Sequence, residues 1–210
     1  DLNYTIRLIA RNSFGCADTS FGNVLVYPNP TSAFTLDTNV GCQPLPIQIT
    51  NNSTGASTFA WTFGDGTTSD TADASFVKTF TNGSNVAVFN TIQLITSTTD
   101  GCRDTLSRQV EVHPFISVDF TSDTVGCHPY PVQFSNQSVG AASYNWTFGD
   151  GNVSAATNPQ NIYQNTTTAN QTFVSQLIGT STEGCSDTAR QNILVYPKPT
   201  AAFVLDTNKG

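Results

Sequence analysis

Charge is what this sequence has least of. Charged residues make up 11% of its 210 residues, about half the share usual in soluble domains. Lys and Arg number 8 against 15 Asp and Glu, for a net charge of −7. Phosphate binding needs clustered basic side chains, and no basic stripe is visible, so no nucleic-acid partner is expected. No apolar run approaches the roughly 18 residues that span a bilayer, so no direct membrane insertion is expected. No stretch has a convincing helical period. None of the five cysteines sits in a CxxC pair, which argues against zinc ribbons and thioredoxin-like sites. The two histidines, His113 and His128, stand in unlike contexts, one at a junction and one beside Cys127. Neither reads as a metal ligand or a catalytic base. There is no Ser/His/Asp pattern, paired-carboxylate motif or phosphate-cradling glycine loop. The expectation is therefore a chain without catalytic residues and without a cofactor. No signal peptide is present, and the chain begins and ends mid-pattern, so it reads as an excised fragment.

What is present is a repeat. Residues 40–66 read VGCQPLPIQITNNSTGASTFAWTFGDG and residues 125–151 read VGCHPYPVQFSNQSVGAASYNWTFGDG, an ungapped match at an offset of 85. ITSTTDGCRDT (95–105) matches IGTSTEGCSDT (178–188), and IARNSFGCADT (9–19) is a third copy. Closing segments recur as VLVYP (24–28), VEVHP (110–114) and ILVYP (193–197). Opening segments recur as AFTLDTN (33–39), VDFTSDT (118–124) and AFVLDTN (202–208). The reading is the C-terminal part of a truncated repeat at 1–30, complete repeats at 31–115 and 116–199, and the first strand of another at 200–210. A period of about 85 residues is too long for a solenoid unit and suits a modest β-sandwich.

Within each copy the apolar period is two. Phe59, Trp61 and Phe63 alternate with Ala60 and Thr62, and Tyr144, Trp146 and Phe148 do the same. Gly64-Asp65-Gly66 and Gly149-Asp150-Gly151 read as tight turns, with glycine supplying positive φ and aspartate bonding its own backbone. Thr-Asp-Gly at 99–101 and Thr-Glu-Gly at 182–184 read as hairpin turns. Many short strands separated by turns predict an all-β sandwich. Each complete repeat has one cysteine near its start and one near its end, which predicts disulfides Cys42–Cys102 and Cys127–Cys185. Each would close about 60 residues and contribute roughly 4 kcal/mol. Cys16 would be left unpaired in the fragment. Disulfides place a protein outside a reducing cytosol. The junctions at 27–34 and 196–203 are short and stiffened by proline, which predicts tandem sandwiches in an extended rod.

The WTFGDG segments at 61–66 and 146–151 closely resemble the WxFGDG signature of the PKD (polycystic kidney disease) domain family. The resemblance covers nearly the whole chain and implies immunoglobulin-like sandwiches of an extracellular protein. Thr62 and Thr147 stand where aspartate is frequent, removing an acidic residue from a site where some collagenase-associated members bind calcium. The flanking GCxPxP and [DE]GCxDT patterns are similar to repeats of very large cell-surface adhesins of gliding Bacteroidetes-type bacteria, which are exported by the type IX system. That likeness implies O-glycosylation at Asp-Thr tripeptides, here at Thr71, Thr105, Thr124 and Thr188. Plain turn chemistry also explains an Asp-Thr pair.

Two other roles compete at the signature. Asp65 and Asp150 suit turn capping better than calcium, which needs six to eight oxygens. Trp61 and Trp146 suit core packing better than a sugar-stacking platform. A calcium role would draw on Asp37, Asp119, Asp123 and Asp206 near the strand starts. The functional expectation is an adhesive or structural array whose partners are neighbouring repeats and cell-surface ligands such as polysaccharide. The alternative is an accessory binding module of a secreted hydrolase.

Overall fold

The computed structural model describes residues 1–205. Among the described residues there is no helix. The chain divides into two compact units, one of Asp1–Asn82 with Ala87–Val112, the other of Gly83–Val86 with the residues from His113 on.

The first unit opens with a hairpin, β1 (Leu2–Arg11) and β2 (Ala17–Val26), which forms a two-stranded sheet by itself. A sandwich follows, built from β3 (Phe34–Leu36), β4 (Val40–Gly41), β5 (Leu45–Asn51), β6 (Thr58–Thr62), β7 (Thr68–Ser69), β8 (Ser75–Phe80), β9 (Val88–Ser97) and β10 (Arg103–Val112). One sheet has the order β4-β10-β9-β6-β7 and the other β3-β5-β8. The period-two pattern explains both. In β5, Leu45, Ile47 and Ile49 are buried while the residues between them are not. From the opposite sheet Trp61, Ile92, Leu94, Val110 and Val112 meet them, and Phe34, Phe63 and Phe80 complete the core. Fully burying one such side chain contributes about 1.5–3 kcal/mol.

The second unit repeats the plan with β11 (Phe120–Thr121), β12 (Val125–Cys127), β13 (Tyr130–Gln133), β14 (Ser135–Asn136), β15 (Ser143–Thr147), β16 (Val153–Ser154), β17 (Gln160–Tyr163), β18 (Gln171–Thr180) and β19 (Ser186–Tyr196). Its large sheet is β12-β19-β18-β15-β16, and it is faced by the pairs β11-β14 and β13-β17. The continuous β5 of the first sandwich is split here into β13 and β14. Pro159 stands where Phe76 stands in β8, and a proline has no N–H for the ladder. Its carbonyl instead accepts from Phe134 N at 3.0 Å, and Asn158 Oδ1 accepts from Asn136 N at 2.8 Å.

The turns at 99–101 and 182–184 form as the sequence predicts. Thr98 N donates to Cys102 O at 2.9 Å, and Ser181 N to Cys185 O at 2.8 Å. The peptides before Pro44 and Pro129 are cis. Of the opening strand expected over 200–210, residues 200–205 carry no strand and residues 206–210, with Asp206, lie outside the described part.

Candidate functional site

The signature turn is the most elaborated polar structure of each repeat. Trp61 lies in the core one residue before its strand ends at Thr62, and the chain then reverses through residues 63–67. Phe63 N donates to Thr67 O at 3.2 Å, and Phe148 N to Asn152 O at 3.1 Å. Gly64 and Gly149 have φ of +77° and +79°. A Cβ on Gly64 would lie 2.5 Å from Thr91 N, and one on Gly149 2.7 Å from Val174 O. Only glycine meets both demands. Gly66 and Gly151 also have positive φ.

Asp65 caps this turn and reaches the other sheet. Its Oδ1 accepts from Thr67 N at 3.0 Å and from Thr67 Oγ1 at 2.6 Å. Its Oδ2 lies 2.7 Å from Nζ of Lys78 on β8. Lys78 also donates to Thr67 Oγ1 at 2.7 Å and stands over the Phe63 ring, 5.1 Å from its centroid. Partial burial pushes the Asp65 carboxyl upward, but the Lys78 ammonium and the Thr67 hydroxyl and amide outweigh it and hold it at about 2. The second repeat makes the same clamp without a cation. Asp150 Oδ1 accepts from Asn152 N at 2.9 Å, and Oδ2 accepts from Nδ2 of Asn152 at 3.0 Å and of Asn161 at 2.8 Å. Asn161 occupies on β17 the place that Lys78 occupies on β8. Every oxygen of both aspartates thus accepts from a protein donor. A cation at either one would have to displace a lysine or an amide.

Trp61 and Trp146 are buried, and each indole N–H donates to a backbone carbonyl, Thr71 O at 3.2 Å and Ala156 O at 2.9 Å. Phe34 and Phe76 meet Trp61 edge-on at 5.3 Å, and Phe120 meets Trp146 at 4.9 Å. Neither indole offers a face to a sugar.

The within-repeat disulfides do not form. Cys102 and Cys127 are thiols, as is the exposed Cys16, whereas Cys42 and Cys185 are each disulfide-bonded. The register explains why. β4 pairs in parallel with the far end of β10, Gly41 against Val112, while Cys102 precedes the first residue of β10. Ten extended residues, roughly 30 Å, therefore separate Cys42 from Cys102, and a disulfide tolerates about 7 Å between Cα atoms. Cys127 likewise registers with Tyr196 at one end of β19, and Cys185 precedes its other end. Each sandwich carries its two cysteines at opposite poles.

The Asp-Thr pairs split in function. Asp104 Oδ2 accepts from Ser32 N at 2.7 Å, and Asp187 Oδ2 from Val118 N at 2.8 Å, so each pins the start of its sandwich to the terminal hairpin. The Ser32 amide, with that of Thr105, holds the Asp104 carboxyl below its ordinary value. The partner residues Thr105 and Thr188 are exposed at equivalent positions, while Thr71 and Thr124 are half-buried. Thr71 Oγ1 is already engaged by Asp73 N at 3.2 Å. Sequence reasoning missed this pinning role, although its signal was present as the recurring aspartate two residues after each second cysteine. It also missed a buried hydroxyl pair, Tyr163 Oη and Ser175 Oγ at 2.6 Å. Burial pushes the Tyr163 hydroxyl above its ordinary value. Phe80 and Ile92 hold those two places in the first repeat.

Of the aspartates considered for calcium, Asp37 Oδ1 accepts from Gln48 N at 2.9 Å and Asp119 Oδ1 from Phe120 N at 2.8 Å, both backbone caps. His128 Nδ1 accepts from Asn165 N at 2.9 Å. An open polar groove of about 570 Å³ runs along the first sandwich between Asp37, Thr38, Asn39, Ser107 and Gln109.

Fold and turn chemistry together define a protein of β-sandwich repeats, each closed by an aspartate-clamped aromatic turn. No family model matches the chain, and no curated protein matches it. Among solved structures it is similar to the PKD1 domain of the Vibrio cholerae metalloprotease PrtV, at 22% identity over 41% of this chain and 99% of that one, TM-score 0.33. The PKD1 domain of Vibrio anguillarum Epp is similar at 23% identity over 42% and 98%, TM-score 0.33. Carbohydrate-binding modules of the β-sandwich superfamily are similar at 10% identity over 79% and 78%, TM-score 0.37. Among the described residues no helix is long and apolar enough to cross a membrane.

Proposed function

We propose that this chain is a PKD-like structural and adhesive segment of a large secreted bacterial surface filament, of the kind found in the SprB gliding adhesin, with no catalytic role. One observation carries the reading. The residues that would do chemistry or stack a ligand at the signature are consumed by the fold, with both aspartates clamped and both tryptophans buried. What remains outward is a sparsely charged surface rich in Ser, Thr and Asn in both repeats. Weak contacts duplicated in this way add up through multivalency. The exposed Thr105 and Thr188 at matched positions support O-glycosylation there, and disulfide-bonded Cys42 and Cys185 support an extracellular location.

The test is the intact mass and glycopeptide map of the protein from its native host, joined to a surface-attachment assay of a strain lacking these repeats. Sugar masses on Thr105 and Thr188 with loss of attachment agree with the proposal. An unmodified chain, retained inside the cell, refutes it. The polar groove of the first sandwich favours a second reading, an accessory module that binds polysaccharide for a secreted hydrolase. Saturable binding to a polymer, lost in Asn39→Ala with Gln109→Ala, would select it.

A further inference from the structure

The cleft on the first sandwich extends beyond its polar part. Beside the groove of about 570 Å³ lies a second of about 230 Å³, lined by Asn39, Val40, Phe89, Gln109 and Glu111. Asn39 and Gln109 line both, so the two join. The sheet register sets the order of the side chains. Glu111 pairs with Val40 on one side and with Phe89 on the other. The three stand in one row across β4, β10 and β9, about 10 Å long. Val110 and Val112 of β10 turn into the core, which leaves Gln109 and Glu111 on the outer face. Phe89 is 56% exposed and Val40 44%.

The polar groups of this cleft are unspent, unlike those of the signature turn. Among the described residues, none hydrogen-bonds or ion-pairs with the side chains of Asn39, Gln109 or Glu111. Each amide can both donate and accept, as a sugar hydroxyl requires of its partner. Phe89 and Val40 offer an apolar floor to the C–H face of a sugar ring. Charge narrows the class further. Asp37 lines one end of the cleft and Glu111 the other. The lining residue Arg108 is turned to Phe34, with its Nε donating to Phe34 O at 3.0 Å and its guanidinium 5.6 Å from the ring centroid. Two carboxylates in this setting repel an anionic polymer. The second sandwich has Thr124, Thr172 and Leu194 where the first has Asn39, Phe89 and Glu111. The shared fold therefore does not require the ring or the carboxylate at these places.

We infer that this cleft binds an uncharged polysaccharide strand, with a sugar ring stacked on Phe89 and its hydroxyls held by Asn39, Gln109 and Glu111. The inference rests on the binding-module reading and gives that reading its ligand class and its anchoring side chain.

The test is electrophoresis of the full chain through gels that carry a soluble β-glucan, a galactomannan or alginate. Retardation by at least one of the two neutral polymers, and none by alginate, is expected. Phe89→Thr installs the residue that the second sandwich carries at this sheet position, so the variant should melt as the wild type does. It should weaken binding to the neutral polymer by at least about tenfold. Phe14→Thr removes a ring that is 90% exposed between β1 and β2, outside the cleft, and should leave binding unchanged. Retardation by alginate alone overturns the uncharged class. Retardation by no polymer overturns the binding-module reading and this inference with it. Full retardation of Phe89→Thr, or an equal loss in Phe14→Thr, leaves that reading standing and overturns the site.

Discussion

Replacing Asp65 by asparagine isolates the electrostatic part of the signature clamp. The carboxylate is held at about 2 by Lys78 and Thr67, against an unperturbed value near 3.9 for a free aspartate. A depressed carboxylate pKa contributes stability that is complete above the unfolded value and is lost as pH falls through the folded one. The full linkage energy of such a shift is about 2.5 kcal/mol. The side chain is 27% exposed, so screening by water brings the expected contribution to about 1 kcal/mol. Asp65→Asn should therefore destabilise the first sandwich by about 1 kcal/mol at pH 6. The gap between variant and wild type should close between pH 4 and pH 2, as Asp65 protonates near 2. It should also shrink in 1 M salt. Hydrogen exchange read separately over residues 58–69 and 143–154 assigns the loss to one sandwich, and Asp150, which faces amides, provides the uncharged comparison. A difference between variant and wild type that is independent of pH and salt would refute the ion-pair account and leave only lost turn capping.

Three further outcomes are expected. Tyr163→Phe should cost about 1–2 kcal/mol by orphaning the buried Ser175 hydroxyl. Adding Ser175→Ala should recover part of that loss in a thermal melt, and full additivity would contradict the pairing. Gly149→Ala should cost about 3 kcal/mol through its positive φ and the close approach to Val174; a melting temperature equal to wild type would show that the turn is not held against β18. Under non-reducing conditions iodoacetamide should modify Cys16, Cys102 and Cys127 and spare Cys42 and Cys185, a pattern that peptide mapping reads directly.

Strand existence, turn positions and the inward face were legible in the chain because side chains on a strand alternate with a period of two. Ile47, Ile49, Trp61 and Trp146 went inside for that local reason. The repeat also exposed its unit, since residues that recur together at one offset fold together. The Pro159 break was a local signal too, an absent N–H, but its effect on β13 and β14 depends on which strand lies alongside.

Recurrence showed that the cysteines are positional and left their partners open. Pairing depends on distance in space, and β10 and β19 hold the two cysteines of each repeat at opposite ends of an extended strand. The clamp partners were hidden in the same way. Nothing in the spacing joins Asp65 to Lys78, or Asp150 to Asn161, until two sheets stack and bring β8 and β17 over the turn. The sequence by itself determined which face of each strand is apolar and where the chain reverses, because both are settled within a few residues. Only the tertiary structure decided which polar and sulfur groups meet, because that depends on register and on the packing of one sheet over another.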